Sequence, residues 1–121
     1  MKKIAVSSEG PALDDQVDPR FGRAAGFLIV DLESMQTRYI DNGKSQAMGR
    51  GAGIQAAETV AGAGAGCVLT GFVGPKAFQA LSAAGIQIVQ NLEGMTVRQA
   101  VEKYLGGSLA AAAAPNGRPG R

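Results

Sequence analysis

Five basic side chains stand in or beside glycine-rich stretches of this sequence, where they could bind an anion. They are Arg20, Arg23, Lys44, Arg50 and Lys76. Glycine leaves the backbone N–H groups of a loop accessible, and successive N–H groups can form a concave anion site. These residue types therefore predict an anion-binding site, provided that the fold brings the loops together.

Three segments of the chain carry these basic residues. The first contains Ser8 and the run Arg20-Phe21-Gly22-Arg23, the second contains Lys44 and Met48-Gly49-Arg50-Gly51-Ala52-Gly53, and the third is Gly71-Phe72-Val73-Gly74-Pro75-Lys76. The second and third segments each lead into a predicted helix, whose first N–H groups lack intrahelical partners. The dipole of such a helix end contributes about 0.3–1 kcal/mol to a nearby surface anion.

The two arginines of the first segment have an alternative interpretation that involves no ligand. Arg20 and Arg23 follow Asp14, Asp15 and Asp18 in the sequence. Oppositely charged side chains at that spacing could form solvated ion pairs, which contribute little to stability. Both interpretations stay open at the level of sequence.

Apolar residues in the three segments are equally ambiguous. Phe21 and Phe72 could belong to the core, or they could shield one wall of a crevice. Met48 lies in a polar loop, where it is more often incidental than a soft contact for a metal or sulfur atom. We include all three in the predicted site.

Composition excludes several kinds of chemistry. The 121 residues contain one cysteine, Cys67, and no histidine, so neither an intramolecular disulfide nor a Cys/His zinc site can form. Cys67 lies in a predicted buried strand, which favours a packed small residue over a cluster ligand. Acid–base and nucleophilic catalysis lack their usual histidine. We therefore expect a binding protein rather than an enzyme, with no direct metal ligation by the chain.

The charge distribution argues against nucleic-acid binding. The chain has 12 basic and 10 acidic residues, and Arg118 and Arg121 at its end account for the net charge of +2. Nucleic-acid binding needs a clustered basic face instead. No signal peptide and no apolar run of membrane-spanning length is apparent. We expect a cytoplasmic monomer without nucleic-acid or membrane partners.

The predicted elements that position the three segments follow the order β-β-β-α-β-α-β-α. Strands are predicted at 4–7, 27–31, 35–41, 67–70 and 86–89. Helices begin near Ile54, Pro75 and Val97, the first with Ile54, Ala57 and Ala61 on one apolar face and the last with a capping box of Thr96 and Gln99.

Strand–helix alternation in the second half favours parallel strands with right-handed crossovers, to which the first hairpin adds antiparallel members. The prediction is an α/β fold with a five-stranded mixed sheet and helices packed on its faces. Ligands of such sheets collect beyond the carboxyl ends of the strands, where the three segments would meet. Residues 1–106 form the predicted domain, and residues 107–121 form a predicted flexible Ala/Gly/Pro-rich tail.

One short motif is consistent with nucleotide binding. Gly51–Ala56 matches the pattern G-x-G-x-x-A. It follows a loop rather than a strand, and no acidic residue stands about 20 positions further on, so a dinucleotide fingerprint is disfavoured.

Six short motifs occur in an order that is specific as a set. They are Lys3-Ile4-Ala5-Val6-Ser7, Arg20-Phe21-Gly22-Arg23-Ala24, Gly51-Ala52-Gly53-Ile54-Gln55-Ala56-Ala57, Thr70-Gly71, Gly74-Pro75-Lys76-Ala77-Phe78 and Thr96-Val97-Arg98-Gln99-Ala100-Val101. Together they resemble the dinitrogenase iron–molybdenum cofactor biosynthesis family of nitrogenase accessory proteins, over roughly residues 2 to 106.

The resemblance implies a ribonuclease H-like α/β fold and the binding of a metal–sulfur cluster. It further implies a molybdenum–copper sulfide cluster of the thiomolybdate–copper type, held non-covalently. Many family members have histidine where this chain has Arg20. Arginine offers charge and up to five donors but does not ligate metal, so the substitution favours outer-sphere capture of sulfide. The first strand lacks the acidic residues that a nuclease of this fold needs for magnesium.

The first hypothesis is therefore a carrier or sequestering protein for a preformed anionic metal–sulfide cluster. A second hypothesis is a phosphate- or nucleotide-binding regulatory module that uses the same helix ends. A third is a protein-interaction domain that uses the tail and has a partner the sequence does not identify.

Overall fold

The computed structural model describes residues 3–117, and its centre is one five-stranded sheet. The strands are β1 (Lys3–Ser8), β2 (Gly26–Asp31), β3 (Thr37–Asp41), β4 (Cys67–Leu69) and β5 (Gln87–Val89), in the spatial order β3-β2-β1-β4-β5. The predicted α/β class with a mixed five-stranded sheet is confirmed.

The strand directions place the ends of three strands at one edge of the sheet. β1 pairs antiparallel with β2, and β2 pairs antiparallel with β3. β1 pairs parallel with β4, with Val6 opposite Leu69, and β4 pairs parallel with β5, with Leu69 opposite Val89. The carboxyl ends of β1, β4 and β5 therefore share an edge, which is where ligands of open α/β sheets bind.

The helices are α1 (Gly43–Gln46), α2 (Ala52–Gly62), α3 (Pro75–Ala83) and α4 (Val97–Leu105). The short α1 lies in what the sequence predicted as a loop, and α2 begins at Ala52 rather than near Ile54. β3 begins at Thr37 instead of Met35, because Met35 has a positive φ of 60° and belongs to the turn between β2 and β3.

Two cores lie on opposite faces of the sheet. On one face, Ala5, Ile29 and Val68 pack with residues of α2 and α3. On the other, Ile4, Leu28, Cys67 and Leu69 pack with residues of α4. The long apolar run of β2 is explained by this arrangement, because a strand covered on both faces has no solvent side.

The packed face of α2 differs from the prediction. Ala52, Ala56, Ala57 and Val60 are buried, whereas Ile54 is 41% exposed. Small side chains thus face the neighbouring helix, and the large apolar residue of the first turn faces solvent. The predicted apolar face of Ile54, Ala57 and Ala61 was therefore right at Ala57 and wrong at Ile54 and Ala61, which are exposed.

The described part of the C-terminal segment contacts the domain. Leu109 packs against the core beneath α4, and Ala112 N–H donates to the carbonyl of Ile88 in the edge strand β5 at 2.7 Å. Gly117 N–H donates to the carbonyl of Val73 at 2.8 Å. The predicted flexibility of residues 107–121 stays a prediction, and residues 118–121 lie outside the described residues.

No helix within residues 3–117 combines the length and the apolar character that crossing a membrane requires.

Candidate functional site

The first and third glycine-rich segments are joined by a short bridge of backbone hydrogen bonds. Phe72 N–H donates to the carbonyl of Pro19 at 2.6 Å, and Phe21 N–H donates to the carbonyl of Phe72 at 3.0 Å. A Cβ atom at Gly71 would lie 2.5 Å from the carbonyl oxygen of Pro19, so this approach requires glycine. The loop after β1 and the loop after β4 therefore form one surface.

Close backbone approaches bring the starts of α2 and α3 to the same place. A Cβ atom at Gly22 would lie 2.9 Å from the Cα atom of Gly53, and one at Gly53 would lie 2.8 Å from the Cβ atom of Ala77. Larger side chains would push these elements apart. The first turns of the two helices thus lie side by side against the first segment.

Arg23 ties the first segment to the second. Its Nη1 atom donates to the carbonyl of Met48 at 2.7 Å and to that of Gln46 at 3.4 Å, and its Nη2 atom lies 3.4 Å from the carbonyl oxygen of Gly49. Its donors are therefore largely used by backbone carbonyls. We assign Arg23 a role in holding the loops rather than in contacting an anion.

Two polar residues that the sequence analysis missed also hold this region. Asn42 is buried, and its Nδ2 atom donates to the carbonyls of Ala24 at 3.0 Å and Gly22 at 3.3 Å. Asp18 is only 5% exposed, and its carboxylate accepts hydrogen bonds from the N–H groups of Arg20 and Ala25, both at 3.1 Å. An Asp or Asn beside proline and glycine is the usual signal of such loop-closing side chains.

A buried hydroxyl pair connects the strand ends beneath the loops. Ser7 Oγ donates to the carbonyl of Asp18 at 2.8 Å and lies 2.7 Å from Thr70 Oγ1. Ser7 is the penultimate residue of β1, and Thr70 directly follows β4. These hydrogen bonds hold the first segment against the carboxyl ends of both β1 and β4.

The starts of α2 and α3 offer backbone donors that no side chain caps. The N-cap residues are Gly51, with φ of 74°, and Gly74, and neither helix has an acidic residue in its first turn. The first intrahelical bonds run from Gln55 N–H to the Gly51 carbonyl and from Phe78 N–H to the Gly74 carbonyl. In contrast, α4 has the predicted capping box of Thr96 and Gln99. The two helix ends at the site thus keep positive character that a nearby anion could neutralise.

Four of the five predicted basic side chains are not engaged within residues 3–117. The side chains of Arg20, Lys44, Arg50 and Lys76 are exposed and form no hydrogen bond or ion pair with residues 3–117. The ion-pair alternative for the two arginines does not hold there. Asp14 instead pairs with Arg98 at 2.9 Å, which lowers the pKa of the Asp14 carboxyl through a hydrogen bond and charge attraction.

The apolar residues of the predicted site separate into two groups. Phe21 is fully buried and packs on Phe27 with ring centroids 5.2 Å apart, so it belongs to the core and has no surface for a ligand. Met48 and Phe72 are half-buried, and the terminal methyl of Met48 lies over Gly51. Ile54, which was not among the predicted site residues, adds an exposed apolar side chain to the first turn of α2.

Ser8 is also removed from direct contact. It is fully buried, and its hydroxyl donates to the carbonyl of Gly10 at 2.5 Å. The hydroxyl stabilises the start of the long loop after β1 instead. Its position two residues before a Gly-Pro pair is a turn signal that explains this role.

Cys67 is not available as a metal ligand in this structure. It is fully buried at the amino end of β4, on the α4 face of the sheet, and burial raises the pKa of its thiol to about 11. The thiolate is the form that binds metal, and it is disfavoured here. Within residues 3–117, no three Cys, Asp or Glu side chains are grouped so that they could hold a metal ion.

A match to a family profile identifies the family of this chain. The family profile described as dinitrogenase iron–molybdenum cofactor matches residues 1–107, and the chain belongs to this family. Membership associates the protein with the metal cofactor of dinitrogenase and related metal clusters.

Solved structures agree with that assignment, and one curated protein is similar over most of the chain. The apo form of the orange protein from Desulfovibrio gigas is 61% identical, with a TM-score of 0.95, and the match covers 97% of this chain and 98% of that one. A putative NifB protein from Thermotoga, assigned to the DUF35 family, is 32% identical with a TM-score of 0.79 over 92% and 93% of the two chains. An uncharacterized protein from Methanocaldococcus jannaschii is 26% identical over 112 residues, 90% of each chain.

Proposed function

We propose that this protein binds a preformed anionic metal–sulfide cluster without covalent ligation and acts as a carrier or sequestering protein rather than as an enzyme. One observation carries the proposal: the starts of α2 and α3 lie side by side, begin at glycine and have no side-chain cap. Four unengaged basic side chains stand in the same three segments. Donors without a partner on the protein suit a guest that is negatively charged over its whole surface.

The chemistry of the donors favours sulfide as the outer layer of the guest. Backbone N–H, guanidinium and ammonium groups donate hydrogen bonds but do not ligate metal. Molybdenum and copper enclosed by sulfide need no ligand from the protein, which agrees with the buried position of Cys67. The molybdenum–copper sulfide type is the one that the family resemblance implies, and membership of the dinitrogenase iron–molybdenum cofactor family supports a cluster-related role.

Apolar side chains beside the donors would strengthen the interaction. Met48 and Phe72 are half-buried in the same segments, and Ile54 is exposed in the first turn of α2. A guest covered by these side chains loses part of its contact with water, and the dipole and charge interactions become stronger at lower dielectric constant. Sulfide is large and polarisable and is compatible with such contacts.

Reconstitution tests the proposal directly. The purified protein is mixed with tetrathiomolybdate and a copper salt, passed through a desalting column and examined by visible absorption and metal analysis. We expect molybdenum and copper to elute with the protein in a fixed ratio, together with a visible absorption band. A colourless protein fraction whose metals stay in the small-molecule fraction would refute the proposal.

Charge-removal variants test the location of the site. Arg20→Ala combined with Lys76→Ala removes two exposed cations from the first and third segments, and we expect at least about a tenfold loss of cluster retention, equivalent to about 1.4 kcal/mol. Lys103→Ala is the matched control. This substitution removes an exposed cation from the last turn of α4. The neighbouring residue Tyr104 contacts Cys67, so this turn lies near the amino end of β4. Equal retention by all three proteins would exclude the proposed location.

A nucleotide-binding module would respond differently to the same materials. ATP would raise the melting temperature, because a ligand that prefers the folded state stabilises it. Under the cluster proposal, ATP leaves the melting temperature unchanged and the thiomolybdate–copper mixture raises it. The reverse pattern would favour the phosphate- or nucleotide-binding alternative.

A further inference from the structure

The C-terminal strap, defined as residues 107–117, connects the end of α4 to the third glycine-rich segment. Leu109 packs against the core on the α4 side of the sheet. Ala112 then bonds the edge strand β5, and Gly117 reaches the carbonyl of Val73. The strap thus runs from the α4 face of the sheet past β5 to the carboxyl ends of the parallel strands, where the proposed cluster site lies.

Asn116 makes three hydrogen bonds at the end of the strap. Its Oδ1 atom accepts from Val73 N–H at 2.9 Å. Its Nδ2 atom donates to the carbonyl of Gly71 and to Oδ1 of Asn91, both at 2.9 Å. One side chain therefore holds both ends of the turn from Gly71 to Val73.

Both backbone groups of Val73 in the third segment form hydrogen bonds with the strap. Val73 is buried, its N–H is bonded by Asn116, and its carbonyl accepts from Gly117 N–H at 2.8 Å. A buried backbone group without a partner is costly, so the strap stabilises this conformation of Val73. Gly117 also fits without spare room, because a Cβ atom there would lie 2.9 Å from the carbonyl carbon of Val73.

We propose that Asn116 is a positioning residue for the cluster site and that the strap holds the third segment in its binding conformation. This inference rests on the proposed function. Val73 immediately precedes Gly74, the N-cap of α3, so the direction of the first α3 N–H groups follows from how Val73 is held. If the strap favours the binding conformation, thermodynamic linkage requires that a bound cluster stabilises the strap in return.

Amide hydrogen exchange in the cluster-free protein tests the structural half of the inference. In Asn116→Ala, we expect Val73 N–H and Gly117 N–H to exchange at least about fivefold faster, the factor that corresponds to about 1 kcal/mol for a lost hydrogen bond. Gly117→Ala lifts the strap by steric conflict while keeping Asn116, and it should have the same effect. Ala113→Ser is the control, because Ala113 is exposed and has no hydrogen-bond partner among residues 3–117. Unchanged exchange in the two variants would overturn the inference.

Cluster retention tests the functional half, well below the melting temperature of each variant. We expect Asn116→Ala and Gly117→Ala to retain at least about fivefold less thiomolybdate–copper cluster than Ala113→Ser, with an altered visible spectrum. In the wild type, the cluster should slow exchange at Gly117. Faster amide exchange in the variants with unchanged cluster retention and spectrum would overturn the positioning role alone. A wild-type protein that retains no cluster would refute the proposed function and the positioning role together. Melting temperatures show whether a variant has merely unfolded.

Discussion

Arg20 and Arg23 are three positions apart, but the fold uses them differently. Arg23 donates to three backbone carbonyls of the second segment, whereas the Arg20 guanidinium has no partner within residues 3–117. At the residue scale, the cationic side chains therefore divide into one that builds the loops and others that remain available. The type of residue was visible in the sequence, but this division depends on which carbonyls lie within reach.

The burial of Cys67 leads to a prediction about stability at alkaline pH. Burial raises its folded-state pKa to about 11, above the value of about 8.5 for an unfolded chain. Between these two pKa values the unfolded state has lost the thiol proton that the folded state keeps. The contribution of Cys67 to the unfolding free energy is therefore fully present below pH 8.5 and is lost as the pH rises. We expect a loss of about 1–3 kcal/mol between pH 8 and pH 11 from this group.

Urea denaturation at pH 8 and at pH 10.5 measures this effect. Cys67→Ser keeps a small polar side chain at the position but does not titrate in this range. Wild type should therefore lose more of its unfolding free energy than the serine variant does over the same interval. Parallel losses would show that Cys67 ionises as easily as an exposed thiol. The raised pKa of Tyr39 is common to both proteins. The pKa of Tyr104 is raised by burial and also by Cys67, so the difference between the two proteins reports the coupled Cys67–Tyr104 pair.

At the scale of elements, the helices begin in two different ways. α4 starts with a capping box, in which Gln99 N–H donates to Thr96 Oγ1 at 3.1 Å and Thr96 N–H donates to Gln99 Oε1 at 2.8 Å. α2 and α3 start at glycine without any such cap. The cap stabilises α4, whereas no side chain accepts from the first N–H groups of α2 and α3, which the proposal assigns to the cluster.

Removing the α4 cap should separate stability from binding. Thr96→Ala deletes the acceptor of the Gln99 N–H group, and we expect the unfolding free energy to fall by about 1 kcal/mol. Because α4 packs on the opposite face of the sheet from α2 and α3, retention of the cluster should stay at the wild-type level. Urea denaturation and the desalting assay measure the two quantities, and a parallel loss of retention would mean that α4 contributes to the site.

Most elements were predictable because their signals are local. The strands of alternating or continuous apolar character, Pro75 at the start of α3 and the Thr96 cap all appear in the right places. The short α1 was missed, since four residues carry no periodic pattern and its N-cap Asn42 makes no side-chain cap. The exposure of Ile54 was also unpredictable, because it follows from the close contact of Gly53 with Ala77 in another helix.

At the scale of the whole molecule, the sequence predicted that the three segments converge, but it did not predict the contacts that hold them together. Parallel strands bring their carboxyl ends together, so the sequence order was sufficient to expect one site. The contacts that define it join residues far apart in the chain, such as Gly22 with Gly53 and Asn116 with Val73. An alanine-rich tail carries no pattern that would indicate its docking, and its contacts with the third segment come from the single Asn-Gly pair within it.

At the same scale, one end of the sheet is held by contacts from several parts of the chain, and this is the end where we propose that the cluster binds. Strand order, the buried hydroxyl pair of Ser7 and Thr70 and the glycine contacts all fix the same edge. The other end of the parallel strands carries the neutral thiol of Cys67 and the C-terminal part of α4. This difference between the two ends predicts which backbone N–H groups change their chemical shifts when a cluster binds.

An amide chemical-shift map, recorded before and after addition of tetrathiomolybdate and copper, measures that location most directly. We predict the largest shifts at the N–H groups of Ala52, Gly53, Ile54, Lys76 and Ala77, with little change in the last turn of α4. The largest shifts around Tyr104 and Cys67 instead, with none at the starts of α2 and α3, would contradict the account.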